Sequence, residues 1–126
     1  MNPPLYDVAN FFCEHCGLDF DWTRFPIQEK RREFILNYLS ECNNSVPTMD
    51  QIATADSKVM QFCLAPNLVW GVWAIFHTLS GKIEPTEDGF CYPVYARKRL
   101  GAYQQLKATL GIPQSQPLSL HLLSQL

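Results

Sequence analysis

Trp70 and Trp73 stand three residues apart in Leu68-Val69-Trp70-Gly71-Val72-Trp73, and Phe90, Tyr92 and Tyr95 follow in the next aromatic stretch. Residues at i and i+3 of a helix share a face, so both indoles can point the same way. Facing rings attract a desolvated cation through their quadrupole, at about 0.5–2 kcal/mol per contact. The chemistry on offer is recognition of a small ammonium compound. The same residues also suit a plain packing role, because aromatic side chains bury large areas in cores. Phe90 and Tyr92, in Phe90-Cys91-Tyr92-Pro93, are the rings most open to that second reading.

A second constellation, Cys13-Glu14-His15-Cys16, has the C-x-x-C spacing of zinc and redox sites. A structural zinc needs four ligands, and no second C-x-x-C or H-x-x-x-H pair accompanies it. His77 and His121 are lone residues far along the chain. A thioredoxin-like site needs a preceding strand and a βαβ setting, and neither is legible. Five cysteines, an odd number, without a secretory signal point to free thiols in a reducing compartment.

Helices must position these residues. Asp7 to Cys16 places Val8, Phe11, Phe12 and His15 at helical spacing, with Gly17 as a stop. Asp19 to Phe25 is an aromatic loop, and Pro26 suits the first turn of the next helix. That helix carries Ile27, Phe34, Ile35, Tyr38, Leu39 and Cys42 on one stripe, with Lys30, Arg31, Arg32 and Glu33 off it. After the loop from Asn43 to Pro47, Thr48-Met49-Asp50-Gln51 has the form of a capping box. Its helix runs through Met60 toward Ala65, where Pro66 either kinks it or starts a new helix carrying the tryptophans to Leu79. Gly81 closes that helix, and Lys82 to Gly89 is a polar connection. Pro93 opens a final helix from Val94 to Leu110, ended by Gly111-Ile112-Pro113. The expected fold class is mainly α, with residues 112–126, biased to Ser, Gln, Pro and Leu, as a flexible tail.

Composition narrows the function. The 126 residues are one domain's worth, 47% hydrophobic and 17% charged. The net charge is −2, and no basic cluster exceeds Lys30-Arg31-Arg32, so the stripe that nucleic-acid binding requires is missing. The longest apolar run, Phe62 to Leu79, contains Pro66, Asn67 and His77, which argues against a membrane span. Met1-Asn2-Pro3-Pro4 lacks the basic flank and apolar run of a signal peptide, and a cytoplasmic location is expected.

Four blocks, in order, carry a resemblance to choline and ethanolamine kinases. Tyr6-Asp7-Val8-Ala9-Asn10-Phe11-Phe12-Cys13-Glu14 resembles that family's F-D-I-G/A-N-H-F-x-E segment. Trp22 to Tyr38, with Phe25-Pro26 and Asn37-Tyr38-Leu39, resembles the stretch that follows. Phe62-Cys63-Leu64-Ala65 and Leu68 to Ile75 are similar to F-A-L-A-x-x-x-x-W-G/A-L-W-A/S-I. Phe90-x-Tyr92-x-x-Tyr95-Ala96-x-x-Arg99-Leu100-x-x-Tyr103 resembles the family's C-terminal helix.

The resemblance implies ATP-dependent phosphorylation of choline or ethanolamine in phospholipid synthesis. It implies that residues 1–111 form a helical C-lobe fragment of a protein-kinase-like fold. Carried over, the substrate-binding residues are Glu14, Trp70, Trp73, Phe90, Tyr92 and Tyr95, with Glu14 adding negative potential. ATP and magnesium are expected for a full-length parent and not for this chain, which has no glycine-rich loop and no H-x-D-x-x-x-x-N motif. A homodimer or a missing N-terminal part is the expected partner. Departures include Phe11 in place of a histidine, Pro66-Asn67 within a helix, and Asp19 near a common tyrosine position. Choline and ethanolamine remain alternatives, as does a non-catalytic remnant or helical interaction module.

Overall fold

The computed structural model describes residues 4–113, and it is helical, with no strand among the described residues. The flexible tail expected for 112–126 lies, from residue 114 on, outside the described residues, as does His121. Helix α1 (Pro4–Glu14) gives way to a turn in which Gly17 takes φ +72°. A 3₁₀ turn (Trp22–Arg24) leads to α2 (Gln28–Asn43), which ends on Asn44 in the left-handed region at φ +50°. Helix α3 (Met49–Phe62) opens on the expected capping box. Gln51 N donates to Thr48 Oγ1 at 3.2 Å, and Thr48 N donates to Gln51 Oε1 at 2.8 Å.

Helices α4 (Leu64–Leu79) and α5 (Tyr92–Thr109) end alike. After α4, Gly81 N donates to Thr78 O and Lys82 N to His77 O, with Gly81 at φ +91°. After α5, Gly111 and Ile112 repeat the pattern on Ala108 O and Lys107 O. Both are Schellman motifs, in which a residue without a Cβ takes the φ that satisfies the last carbonyls.

Several boundaries differ from the sequence reading. Pro26 does not enter α2: Ile27 is the N-cap, and the Pro26 carbonyl accepts from Arg31 Nη1 at 2.9 Å. The break between α3 and α4 falls at Cys63, not at Pro66. Pro66 sits in the first turn of α4, where its missing N–H would have no intrahelical partner. Asn67, fully buried, donates from Nδ2 to Cys63 O at 2.8 Å, across the break. By length and composition alone, the 31-residue run Met49–Leu79 is apolar enough to cross a membrane. It is α3 followed by α4, interrupted at Cys63, whose own backbone stays in the right-handed helical region.

Helices α1, α2 and α3 enclose one core around Phe12, Cys13, Ile35, Ile52, Val59 and Cys63, which Leu106 of α5 joins. A second core holds Cys16, Phe20, Ala74, Tyr95, Ala96 and Ala102. Helices α4 and α5 form the most extensive helix pair. The α4 face turned inward is small or polar: Asn67, Gly71, Ala74 and Thr78. Its large residues Leu68, Val69, Val72, Phe76 and Leu79 face outward and are exposed. A Cβ on Gly71 would lie 2.8 Å from Leu100 Cδ2 and 2.9 Å from its Cγ. Glycine is what lets α5 come this close.

Arg31 was expected on the solvated side of α2, and it is buried instead. Its Nε and Nη2 donate to Asp56 of α3 at 2.8 and 3.3 Å, and Arg32 adds a longer contact at 3.4 Å. Removing one partner of such a pair strands a charge and typically costs about 3–5 kcal/mol, whereas replacing both by apolar residues can be neutral. Asp56→Ala should therefore destabilise the chain by about 3–5 kcal/mol in urea unfolding, and Arg31→Met with Asp56→Leu should lose far less. Gly71→Val should cost about 1–3 kcal/mol by overpacking against Leu100, read in the same measurement.

Candidate functional site

The tryptophan turn of α4 faces the start of α5. Trp70 and Trp73 meet edge to face at 5.5 Å between centroids, and Trp73 lies 5.3 Å from Tyr92. Tyr92 occupies the first turn of α5, where Pro93 pre-sets the backbone. Phe90 is perpendicular to Tyr92 at 4.9 Å and lies 5.1 Å from Tyr95. Five of the six residues singled out in the sequence thus form one connected run of rings. Both indoles remain a little more than a third exposed, so their role is not that of closed core anchors.

His77, a lone residue in the sequence, belongs to this wall. It lies 4.7 Å from Trp73 and 4.8 Å from Tyr92, one helical turn beyond Trp73. Its Nδ1 is buried without a hydrogen-bond partner among the described residues. The signal that would have found it is its spacing: 70, 73 and 77 is a helical stripe.

Glu14, the sixth residue, joins the wall through Arg99. The Glu14 carboxylate, half exposed, accepts from Arg99 Nη2 at 3.1 Å, while the guanidinium is almost wholly buried. Arg99 Nε donates to Tyr95 Oη at 2.9 Å, and Nη1 reaches Asn67 Oδ1 at 3.5 Å. The guanidinium also stands over Phe20 at 4.1 Å and Tyr95 at 5.1 Å. Phe20 reaches it from a left-handed backbone at φ +46°, a conformation that costs a bulky residue roughly 1–3 kcal/mol. Burial raises the Tyr95 hydroxyl above its ordinary value, with Arg99 pulling the other way. Tyr95 therefore stays neutral and serves as acceptor for Arg99.

The C-x-x-C cysteines are buried in the core beneath this knot. A hydrogen bond with the Cys63 thiol, then burial, holds the Cys13 thiol far above its ordinary value. Burial pushes Cys16 up to about 12. Thiols this reluctant to ionise are poor nucleophiles. Phe11 stacks on Phe34 of α2 at 5.2 Å.

The wall is open rather than enclosed. A cavity of about 370 Å³ lies on the other side of Phe90 and Tyr95, lined also by Leu18, Asp19, Asp88 and Lys98, and it includes neither tryptophan nor Tyr92. A cation would meet rings from two helices on one side and solvent on the other.

The sequence model described as choline/ethanolamine kinase matches residues 1–104. Probable choline kinase 3 of Arabidopsis thaliana is 35% identical over 117 residues, covering 86% of this chain and 32% of that protein. A probable ethanolamine kinase of Nematostella vectensis is 31% identical over 109 residues, covering 81% of this chain and 30% of that protein. The ethanolamine kinase of Drosophila melanogaster is 31% identical over 104 residues, covering 81% of this chain and 19% of that protein. The chain thus spans a third or less of the length of these relatives. No solved structure matches it. A match over most of the chain, with ordered aromatic blocks that come together in space, leaves one conclusion: the chain belongs to the choline/ethanolamine kinase family.

Proposed function

We propose that this chain supplies the ammonium-recognising wall of a choline/ethanolamine kinase and that the phosphate-handling machinery lies outside it. The observation that carries this reading is the meeting of Trp73 with Tyr92, rings from different helices 5.3 Å apart, with Trp73 still a little more than a third exposed. Rings in that arrangement favour a cation. Glu14 reaches the wall only through Arg99, whose guanidinium offsets its charge, so the rings carry the attraction. Choline and ethanolamine both fit this reading, since rings suit a methylated head and hydroxyl or carboxylate acceptors suit a primary ammonium.

The residues here do not fit ATP with magnesium. Among the described residues no three His, Cys, Asp or Glu side chains group closely enough to hold a metal ion. The sequence has neither a glycine-rich loop nor an H-x-D-x-x-x-x-N motif. No phosphoryl-transfer step is therefore derived from this chain. The uncharged outer face of α4 supports its being part of a larger body, since exposed apolar patches of this kind mark contact surfaces.

Two outcomes test the proposal. The purified chain should show no ATP-dependent phosphorylation of choline or ethanolamine. Measurable turnover that disappears in Trp73→Ala would overturn that assignment. Calorimetric titration with choline at constant ionic strength should show Trp73→Ala weakening binding by about two- to thirtyfold, the span of a lost cation–π contact. An unchanged affinity would remove the wall from substrate recognition.

A further inference from the structure

The aromatic wall already faces a cation of its own. Lys82 Nζ stands over the Tyr92 ring, 5.5 Å from its centroid. The backbone beneath it is fixed, because Lys82 N donates to His77 O at 3.1 Å as the last bond of the α4 Schellman cap. The loop beyond is tied down as well. Thr86 N donates to Phe90 O at 2.8 Å, and the Cys91 thiol lies 3.9 Å from Ile83 O. A positive charge is also favoured here by the carbonyl end of α4. Tyr92 is the ring that links Trp73, His77 and Phe90, so it is the central ring of the wall.

We infer that Lys82 is a built-in competitor, its ammonium occupying the Tyr92 face until an ammonium ligand displaces it, and that it thereby sets the affinity of this site. The inference rests on the reading of the wall as a cation site. A ligand must give back the contact that Lys82 makes and approach against its charge. An arriving quaternary ammonium can do so because it covers Trp73 as well as Tyr92, whereas Lys82 covers Tyr92. The displaced side chain loses little, since Lys82 is exposed and its head returns to water.

The second lysine–tyrosine contact of the chain provides the control. Lys107 Nζ lies 5.7 Å from the Tyr103 ring, both on α5 and one turn apart. Lys82→Met and Lys107→Met change the net charge of the chain equally and keep an apolar stem. In calorimetric titration of the full 126-residue chain with choline chloride at constant ionic strength, Lys82→Met should bind about two- to fivefold tighter than the unmodified protein. Lys107→Met should bind as the unmodified protein does. The neutral isostere 3,3-dimethylbutanol should not distinguish Lys82→Met from the unmodified protein. If choline binding depends on Trp73 but Lys82→Met matches Lys107→Met, the competitor is overturned and the wall stands. If neither the unmodified protein nor Lys82→Met binds choline, both readings fall.

Discussion

Burying a guanidinium is costly unless its hydrogen-bonding groups and its charge are met, and the placement of Arg99 governs much of this chain. Four parts of the sequence converge on it: Glu14 at the end of α1, Phe20 in the following turn, Asn67 at the start of α4 and Tyr95 on α5. The carboxylate is half in water, which limits its own desolvation. Two aromatic faces and the Tyr95 hydroxyl supply the rest. Because the partners come from distant segments, satisfying this one side chain fixes how α1, α4 and α5 sit relative to one another. The left-handed backbone at Phe20 is a local cost accepted to close that arrangement.

Helix α4 divides its labour in an inverted way. The residues it turns inward are small or polar, so it approaches α5 closely at Gly71 and gains contact through backbone proximity rather than bulk. The bulky residues are left for its outer face and for the aromatic wall. A helix built this way presents recognition groups on a close-packed support. That suits a site whose rings must be held by backbone position, since Trp70 and Trp73 are not walled in by other side chains.

What the sequence made legible was local. The capping box at Thr48 needs only four consecutive residues, and Gly81 and Gly111 announce helix ends by having no Cβ. The aromatic wall was legible through its spacing and through the family blocks. The long-range ion pairs were not, because Arg31 and Asp56 are 25 residues apart and Glu14 and Arg99 are 85 apart. A trace existed all the same. Asp56 sits among Ile52, Ala55 and Val59, and Arg99 among Tyr95, Ala96, Ala102 and Leu106, each a charge in the middle of a buried stripe. A charge in that register must find an opposite charge or remain stranded, but the stripe does not say which residue answers it. His77 was legible in the 70, 73, 77 stripe of α4, but Lys82 was not, because its place over Tyr92 is set by the α4 cap and a helix crossing.

The break at Cys63 has a consequence that reaches beyond packing. A continuous rod from α3 into α4 would need the amide of residue 66 to donate to the carbonyl of Phe62, and proline has no hydrogen there to give. Its ring would also press on that same carbonyl. The interruption is thus written into covalent structure rather than negotiated among side chains. Repacking of the surrounding core can shift the helices, but it cannot restore the bond that would merge them. The tryptophan helix is therefore an element separate from α3, whatever the packing around the junction.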